Sequence, residues 1–162
     1  MNIVILVFHP KKMTFPLYSD PIKVQTFQKV WDYDLTKLEN SVRTYQPNID
    51  VDKVMPQYRN FLYLAAVTRK KLPVPSKAVD GIWHAAILYT IDYAKFCQDI
   101  AGCFIHHTPI DEPLTSERIE YRYNKLATLS KEHFGNMLFD FEAGAACGCA
   151  GCSQDQIPED EV

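Results

Sequence analysis

Apolar residues dominate the chain between Gly81 and Gly102, where they fall on nearly every face of a helix. A helix that is apolar all round is normally buried at the centre of a protein. Charged residues within the same stretch argue against a membrane span. We therefore predict a buried central helix over residues 80–101. The predicted core residues of this helix are Trp83, Ile87, Leu88, Ile91 and Phe96.

Amphipathic patterns before this segment predict two or three further helices. Asp20 followed by Pro21 is typical of a helix start, with the aspartate as N-cap and the proline at the first helical position. Thr36 and Glu39 have the spacing of a capping box, which favours a break near Asp34. Another helix is expected to begin near residue 50 or 52, before a stiff proline-containing linker over residues 72–75.

The last predicted helix begins at Thr115 and ends at Gly135. Together these patterns predict a mainly α fold, a compact bundle of four or five helices around the central helix. A short apolar segment, Ile3 to Phe8, is expected to be extended and docked on the bundle. The globular domain is predicted to comprise residues 1–142, and residues 143–162 a flexible tail.

The predicted tail contains three cysteines among glycine and alanine, with acidic residues behind them: Cys147, Cys149 and Cys152. Small residues allow a chain to wrap so that several sulfurs converge on one ion, and thiolates prefer Zn, Cu(I) or Fe–S centres. One interpretation is a CxCxxC segment with a metal or redox role. The other is a disordered tail with reactive thiols, since nothing in it can pack. In either case the tail is expected to be poorly ordered without metal.

Composition narrows the classes of function. The chain has 162 residues, 47% of them apolar, which is enough for one real core. A formal net charge of −3 provides no basic surface, so nucleic acid is not an expected partner. Five cysteines, an odd number, suit a reducing compartment better than a secreted disulfide framework, and the N-terminus has no basic region typical of a signal peptide. We expect a cytoplasmic protein that does not bind membranes.

Histidines are the main candidates for chemistry. Asp80 and His84 are four residues apart and therefore share one face of the central helix, where Asp80 either caps the helix or orients the His84 ring. On a regular helix His84 lies ~25 Å back from the helix end. His106 and His107 can meet it only if the chain after Cys103 folds straight back, and in an extended segment at most one of the two would join. The alternative is that His84 is a core histidine bonded to Asp80 alone.

A set of dipeptides in a fixed order resembles one known family. The order is WH, then FC, then HHxP, and the matching positions are Tyr58-Arg59-Asn60-Phe61-Leu62, Ser76, Val79-Asp80, Trp83-His84, Ile87-Leu88, Thr90, Tyr93, Phe96-Cys97, Gly102, His106-His107 and Pro109. This pattern resembles the small bacterial proteins labelled glycine-rich domain-containing protein-like, which are distantly similar to plant glycine-rich domain proteins. The chain departs from that pattern at Ala85-Ala86 and at residues 136–139. The resemblance implies no activity.

These observations favour a small cytosolic binding or accessory protein that holds a transition metal (Zn, Fe or Cu) and has a protein partner or a modifying enzyme. The predicted metal-binding residues are Asp80, His84, His106, His107, Cys147, Cys149 and Cys152. Two alternatives stay open: a metal- or histidine-dependent enzyme of unknown substrate, and a carrier whose cysteine-rich tail is modified by a partner enzyme. No phosphate loop or dinucleotide fingerprint is present, so no nucleotide cofactor is expected.

Overall fold

The computed structural model describes residues 20–109, 115–142 and 147–150, so the predicted N-terminal extended segment lies outside the described residues. The fold is mainly α, as predicted. The helices in the described ranges are α1 (Pro21–Asp32), α2 (Thr36–Tyr45), α3 (Val51–Thr68), α4 (Lys77–Leu88), α5 (Thr90–Ala101) and α6 (Ser116–Phe134). Three short strands, β1 (Leu72–Pro73), β2 (His106–Pro109) and β3 (Cys147–Ala150), form an antiparallel sheet in the order β1-β3-β2.

The break between α1 and α2 falls where the sequence predicted it. Asp20 caps α1 by accepting a hydrogen bond from the Ile22 amide at 2.9 Å. The predicted capping box is wrong, however, because Thr36 is already inside α2 and its amide donates to Asp34 Oδ1 at 3.0 Å. The Asp34 carboxylate thus satisfies the Thr36 amide, one of the amide groups that have no partner within the helix at its start.

The most buried helix is α3 rather than the predicted central helix. Five consecutive residues of α3, from Phe61 to Ala65, are fully buried. This helix contacts α1, α2, α4 and α5, and its only exposed residues are Asp52 and Lys53. A mid-chain helix surrounded by partners removes more apolar surface from water than any helix at the edge of the bundle.

The predicted central helix is interrupted at Tyr89, which lies between α4 and α5 with φ −84° and ψ 62°. Leu88 and Ile91 flank this turn and are each 82% exposed, so their assignment to the core is wrong. Trp83 and Phe96 are buried as predicted, and Ile87 is half-buried. The turn leaves the residues on both of its sides in solvent. The prediction assumed one straight helix and therefore placed them in the core.

Part of the predicted flexible tail belongs to the sheet. Strand β3 lies between the other two strands, with Leu72 opposite Cys149 on one side and His107 opposite Cys149 on the other. The preceding segment is directed there by Glu142, whose carboxylate accepts the Lys77 amide at 3.0 Å and whose own amide donates to the Pro75 carbonyl at 2.8 Å. Strand pairing uses backbone groups, so it needs no apolar stripe in the sequence. Tail residues 143–146 and 151–162 lie outside the described residues.

Among the described helices, none combines the length and the apolar character that crossing a membrane requires.

Candidate metal centre

Helix α4 positions the first two residues of the site. Ser76 caps α4 by accepting the Val79 amide at 3.2 Å, so Asp80 lies in the first turn of the helix. His84 follows one turn later on the same face, with its Nδ1 atom 3.6 Å from Asp80 Oδ2. The spacing of four residues therefore does bring these two side chains together, as the sequence predicted.

Strand β2 adds His107 to this pair. The chain turns at Gly102, whose φ of 70° is left-handed, and returns toward α4 through the fully buried Ile105. His107 Nε2 then lies 2.8 Å from Asp80 Oδ1, and the centroid of its ring is 4.4 Å from that of His84. The chain after Cys103 therefore folds back toward α4, which His107 needs in order to meet His84.

His106 takes no part in this cluster. Its ring packs on Phe104 with the centroids 4.9 Å apart, and the residue is exposed. Successive residues of a strand point to opposite sides, so one histidine of the pair faces α4 and the other faces away. The structure therefore brings one histidine of the pair, His107, to His84 and leaves His106 outside the cluster.

A tryptophan fixes the position of His107. The Trp83 ring lies edge-on to the His107 ring with centroids 4.5 Å apart, and its Nε1 donates to the Tyr93 hydroxyl at 2.8 Å. That hydroxyl donates in turn to the Ile105 carbonyl at 2.6 Å. Burial raises the pKa of Tyr93, so its hydroxyl keeps the proton it donates. This chain of hydrogen bonds ties α4, α5 and the approach to β2 together.

Tyr93 was not among the residues that the sequence singled out for the site. A buried tryptophan or tyrosine normally finds a partner for its polar group, so the presence of both residues in one apolar segment was the available signal. Their hydrogen-bond partners, however, depended on the turn at Tyr89. That turn brings α5 back beside α4, and the straight-helix prediction excluded it.

The cluster has dimensions that suit a small divalent ion. Asp80, His84 and His107 each offer a ligand atom, and these atoms all lie within 4.8 Å of one another. Around a tetrahedral zinc ion, with bonds of ~2.1 Å, ligand atoms are about 3.4 Å apart. The His107 side chain is 7% exposed and the His84 side chain 55%, so packing restrains His107 whereas His84 can adjust its rotamer.

The cysteines have different surroundings. Cys97 is a free thiol and is fully buried, and burial raises the pKa of that thiol. Cys103 is buried and disulfide-bonded, which the sequence did not predict. The backbone of Cys147 and Cys149 belongs to β3, whereas their side chains, like all of Cys152, lie outside the described part of the chain.

The fold and the cluster define a small helical protein with a His/Asp site between a helix and a strand. The chain belongs to the UCP032817-like family, whose profile matches residues 23–120. The match contains all three cluster residues and ends within α6, so the cysteine-rich tail is outside it. No curated protein matches the chain, and no solved structure matches it. The resemblance to glycine-rich domain proteins stays an expectation.

Proposed function

We propose that this protein binds a transition metal ion through Asp80, His84 and His107 and acts as a small metal-binding accessory protein. The observation that carries the proposal is the position of His107. This residue comes from a remote strand, yet its Nε2 atom lies 2.8 Å from a carboxylate that already faces His84. Two imidazoles and one carboxylate converging from two elements form a ligand set that divalent ions of the first transition row prefer.

The arrangement around His107 supports a ligand more than a core histidine. A histidine that only satisfies a buried carboxylate needs one partner, and Asp80 would be enough. Here the His84 ring also lies close, with its centroid 4.4 Å from that of His107. The His84 side chain is 55% exposed, so water can satisfy its nitrogens and hydrogen bonding alone does not require it to lie beside His107. Trp83 packs against the His107 ring and restricts its rotation. Outer groups that fix a ligand ring in this way raise metal affinity.

A fourth ligand is proposed from the tail. The backbone register pairs Cys149 of β3 with His107 of β2. Cys149 is therefore the tail cysteine that we propose as a thiolate ligand, and a Cys/His/His/Asp set favours zinc.

An enzyme is the second candidate, and one observation favours it. The half-exposed His84 leaves one side of the cluster open to solvent. Two histidines and one carboxylate with open positions are also the arrangement of non-haem iron enzymes and of catalytic zinc sites, which keep one position for water or substrate. The two candidates differ in whether Cys149 fills that position.

Metal analysis of protein purified without a nickel column tests the main proposal. We expect close to one equivalent of zinc, iron or copper per chain, and loss of that metal in His107→Gln and His84→Gln. The matched control is His106→Gln, which removes the neighbouring imidazole from a ring that faces Phe104. Zinc at a hundredfold excess over Kd should raise the free energy of unfolding by about 2.7 kcal/mol in the native chain. Retention of metal in both cluster variants would refute the site.

A pair of cysteine variants separates the two candidate functions. If Cys149 is a ligand, Cys149→Ser lowers zinc affinity by at least about tenfold, the loss typical of a weakened ligand sphere, and Cys147→Ser does not. Cobalt substitution supplies the readout, because a thiolate ligand adds an intense charge-transfer band near the ultraviolet. If the band is absent while one cobalt is bound, the metal keeps an open position, and the enzyme becomes the favoured candidate.

A further inference from the structure

A second candidate site shares no residue with the His/Asp cluster. A cavity of about 420 Å³ opens between the α1–α2 break and the α4–α5 turn. Its lining residues are Tyr33, Asp34, Leu35, Lys37, Leu38, Tyr58, Ala86, Tyr89, Asp92, Tyr93, Lys95, Phe96 and Asp99. Neither His84 nor His107 borders it. Ligand pockets for small molecules have volumes of roughly 300–1,000 Å³.

The buried end of the cavity carries an unused polar group. Tyr58 belongs to α3 and is only 1% exposed, yet it lines the cavity. No described residue hydrogen-bonds to its hydroxyl, and burial raises the pKa of Tyr58, so the hydroxyl is protonated. Buried hydroxyls normally have a partner, because leaving one without a hydrogen bond is unfavourable. This hydroxyl is therefore available to a molecule in the cavity.

Aromatic rings form the walls. Tyr33 packs edge-on against Phe96 with the centroids 4.7 Å apart. Lys37 Nζ lies 4.7 Å from the centroid of the Tyr89 ring, so this ring already attracts an ammonium group. Aromatic faces stabilise cations, and tyrosine does so more strongly when water is excluded.

The mouth of the cavity has more acidic than basic side chains. Three carboxylates and two lysines border it, and Lys37 Nζ is paired with Asp92 at 2.8 Å. Asp99 forms no ion pair with any described residue. Burial raises the pKa of Tyr33, and the negative charges of Asp99 and Asp92 raise it further, so both carboxylates act on a ring inside the cavity.

We propose that this cavity binds a small aryl-alkyl amine whose ammonium lies at the acidic mouth and whose ring carries a hydroxyl that reaches Tyr58. The proposal does not depend on the metal cluster. The aromatic walls enclose the ring of the ligand. Asp99 binds the ammonium, because Asp92 is paired with Lys37 and Asp34 accepts the Thr36 amide. Tyr58 exchanges a hydrogen bond with the ring hydroxyl at the buried end.

Titration with four probes of matched skeleton tests the charge and the hydroxyl separately. The probes are tyramine, phenethylamine, 2-phenylethanol and 3-phenylpropanoate, and binding is followed by amide chemical shifts in metal-free and zinc-loaded protein. We expect tyramine to bind most tightly and phenethylamine to bind a few-fold to about tenfold more weakly, the effect of one net hydrogen bond. The neutral alcohol and the anion should bind more weakly than phenethylamine.

Two variants locate the contacts. Tyr58→Phe removes only the unpartnered hydroxyl, so it should fold normally and bring tyramine down to the affinity of phenethylamine. Asp99→Asn should weaken both amines about two- to fivefold, the effect of an exposed ion pair. Its control is Glu120→Gln, which removes the same charge from the exposed surface of α6.

Three results would overturn the proposal. These are binding of the anion at least as tight as that of the amines, an unchanged preference for tyramine in Tyr58→Phe, or no shifts at cavity residues with any probe. None of these outcomes affects the metal proposal, which is judged by metal content. Conversely, loss of metal in the cluster variants leaves the expected amine affinities unchanged.

Discussion

The His/Asp cluster and the aromatic cavity both use residues of α4 but share none, and they are assembled in different ways. The cluster takes two residues from one turn of α4 and adds a third from a remote strand. The cavity takes its walls from two breaks in helices, one at Asp34 and one at Tyr89. A local pair of residues can be recognised in a sequence, whereas a cavity between two breaks depends on the angles at which four helices meet.

Trp83 and its partner Tyr93 connect the two regions. Trp83 contacts His107 of the cluster, and Tyr93 lines the cavity. The hydrogen bond between them, at 2.8 Å, is buried. A change at this pair should therefore affect both regions, and a change elsewhere should affect one region or neither.

The largest effect is expected from Trp83→Ala. The residue is fully buried and also packs edge-on against Phe61 with centroids 5.2 Å apart, so the variant should lose about 3–5 kcal/mol of unfolding free energy. Metal affinity and amine affinity should fall together. Urea unfolding with both binding assays checks this. Loss of one activity alone would show that the two regions are independent.

Arg59→Leu should affect the cavity alone. The guanidinium donates from Nη1 to the carbonyls of Val30, Trp31 and Tyr33, and so holds the α1–α2 break that forms one wall. Hydrogen bonds to a charged group contribute about 1.5–3 kcal/mol, and we expect a loss of that order. Amine binding should weaken, while metal content stays at the native value. Unchanged amine affinity would contradict the role given to the break.

His133 should make the fold acid-sensitive in a region outside both sites. Burial lowers the pKa of this histidine, and Lys23 lowers it further, so the unfolded chain binds its proton at a higher pH than the folded chain. The stability that neutral His133 supports is complete above about pH 6.5 and is lost as the pH falls from there toward the lowered pKa. In metal-free protein, His133→Gln should flatten the decline in urea midpoint between pH 7.5 and 5.5. If the decline is unchanged in this variant, other titratable groups cause the loss of stability at low pH.

The smallest effect is expected from Leu88→Ala. The straight-helix prediction placed this residue in the core, which would cost roughly 2–5 kcal/mol on truncation. Its side chain is instead 82% exposed beside the Tyr89 turn, so the change should stay within about 0.5 kcal/mol and should leave both binding activities intact. A loss above about 2 kcal/mol in urea unfolding would mean that α4 and α5 are continuous.

Much of the fold was predictable because it depends on local signals. Asp20, Thr115 and Gly135 begin or end helices where the sequence indicated, since caps act through hydrogen bonds or backbone angles of adjacent residues. The pairing of Asp80 with His84 was equally local. The choice of His107 over His106 was not, because it required the register of β2 against β3.

The amino-acid sequence by itself determined the start of α1, both ends of α6, the mainly helical fold and the face that Asp80 and His84 share, because each depends on residues within one or two turns. Tertiary structure alone decided where the long apolar segment turns, which left Leu88 and Ile91 in solvent. It also decided that a strand from the tail lies between β1 and β2. These outcomes arise from contacts between residues far apart in the chain. Such contacts produce no periodic pattern of apolar residues, so the sequence does not reveal them.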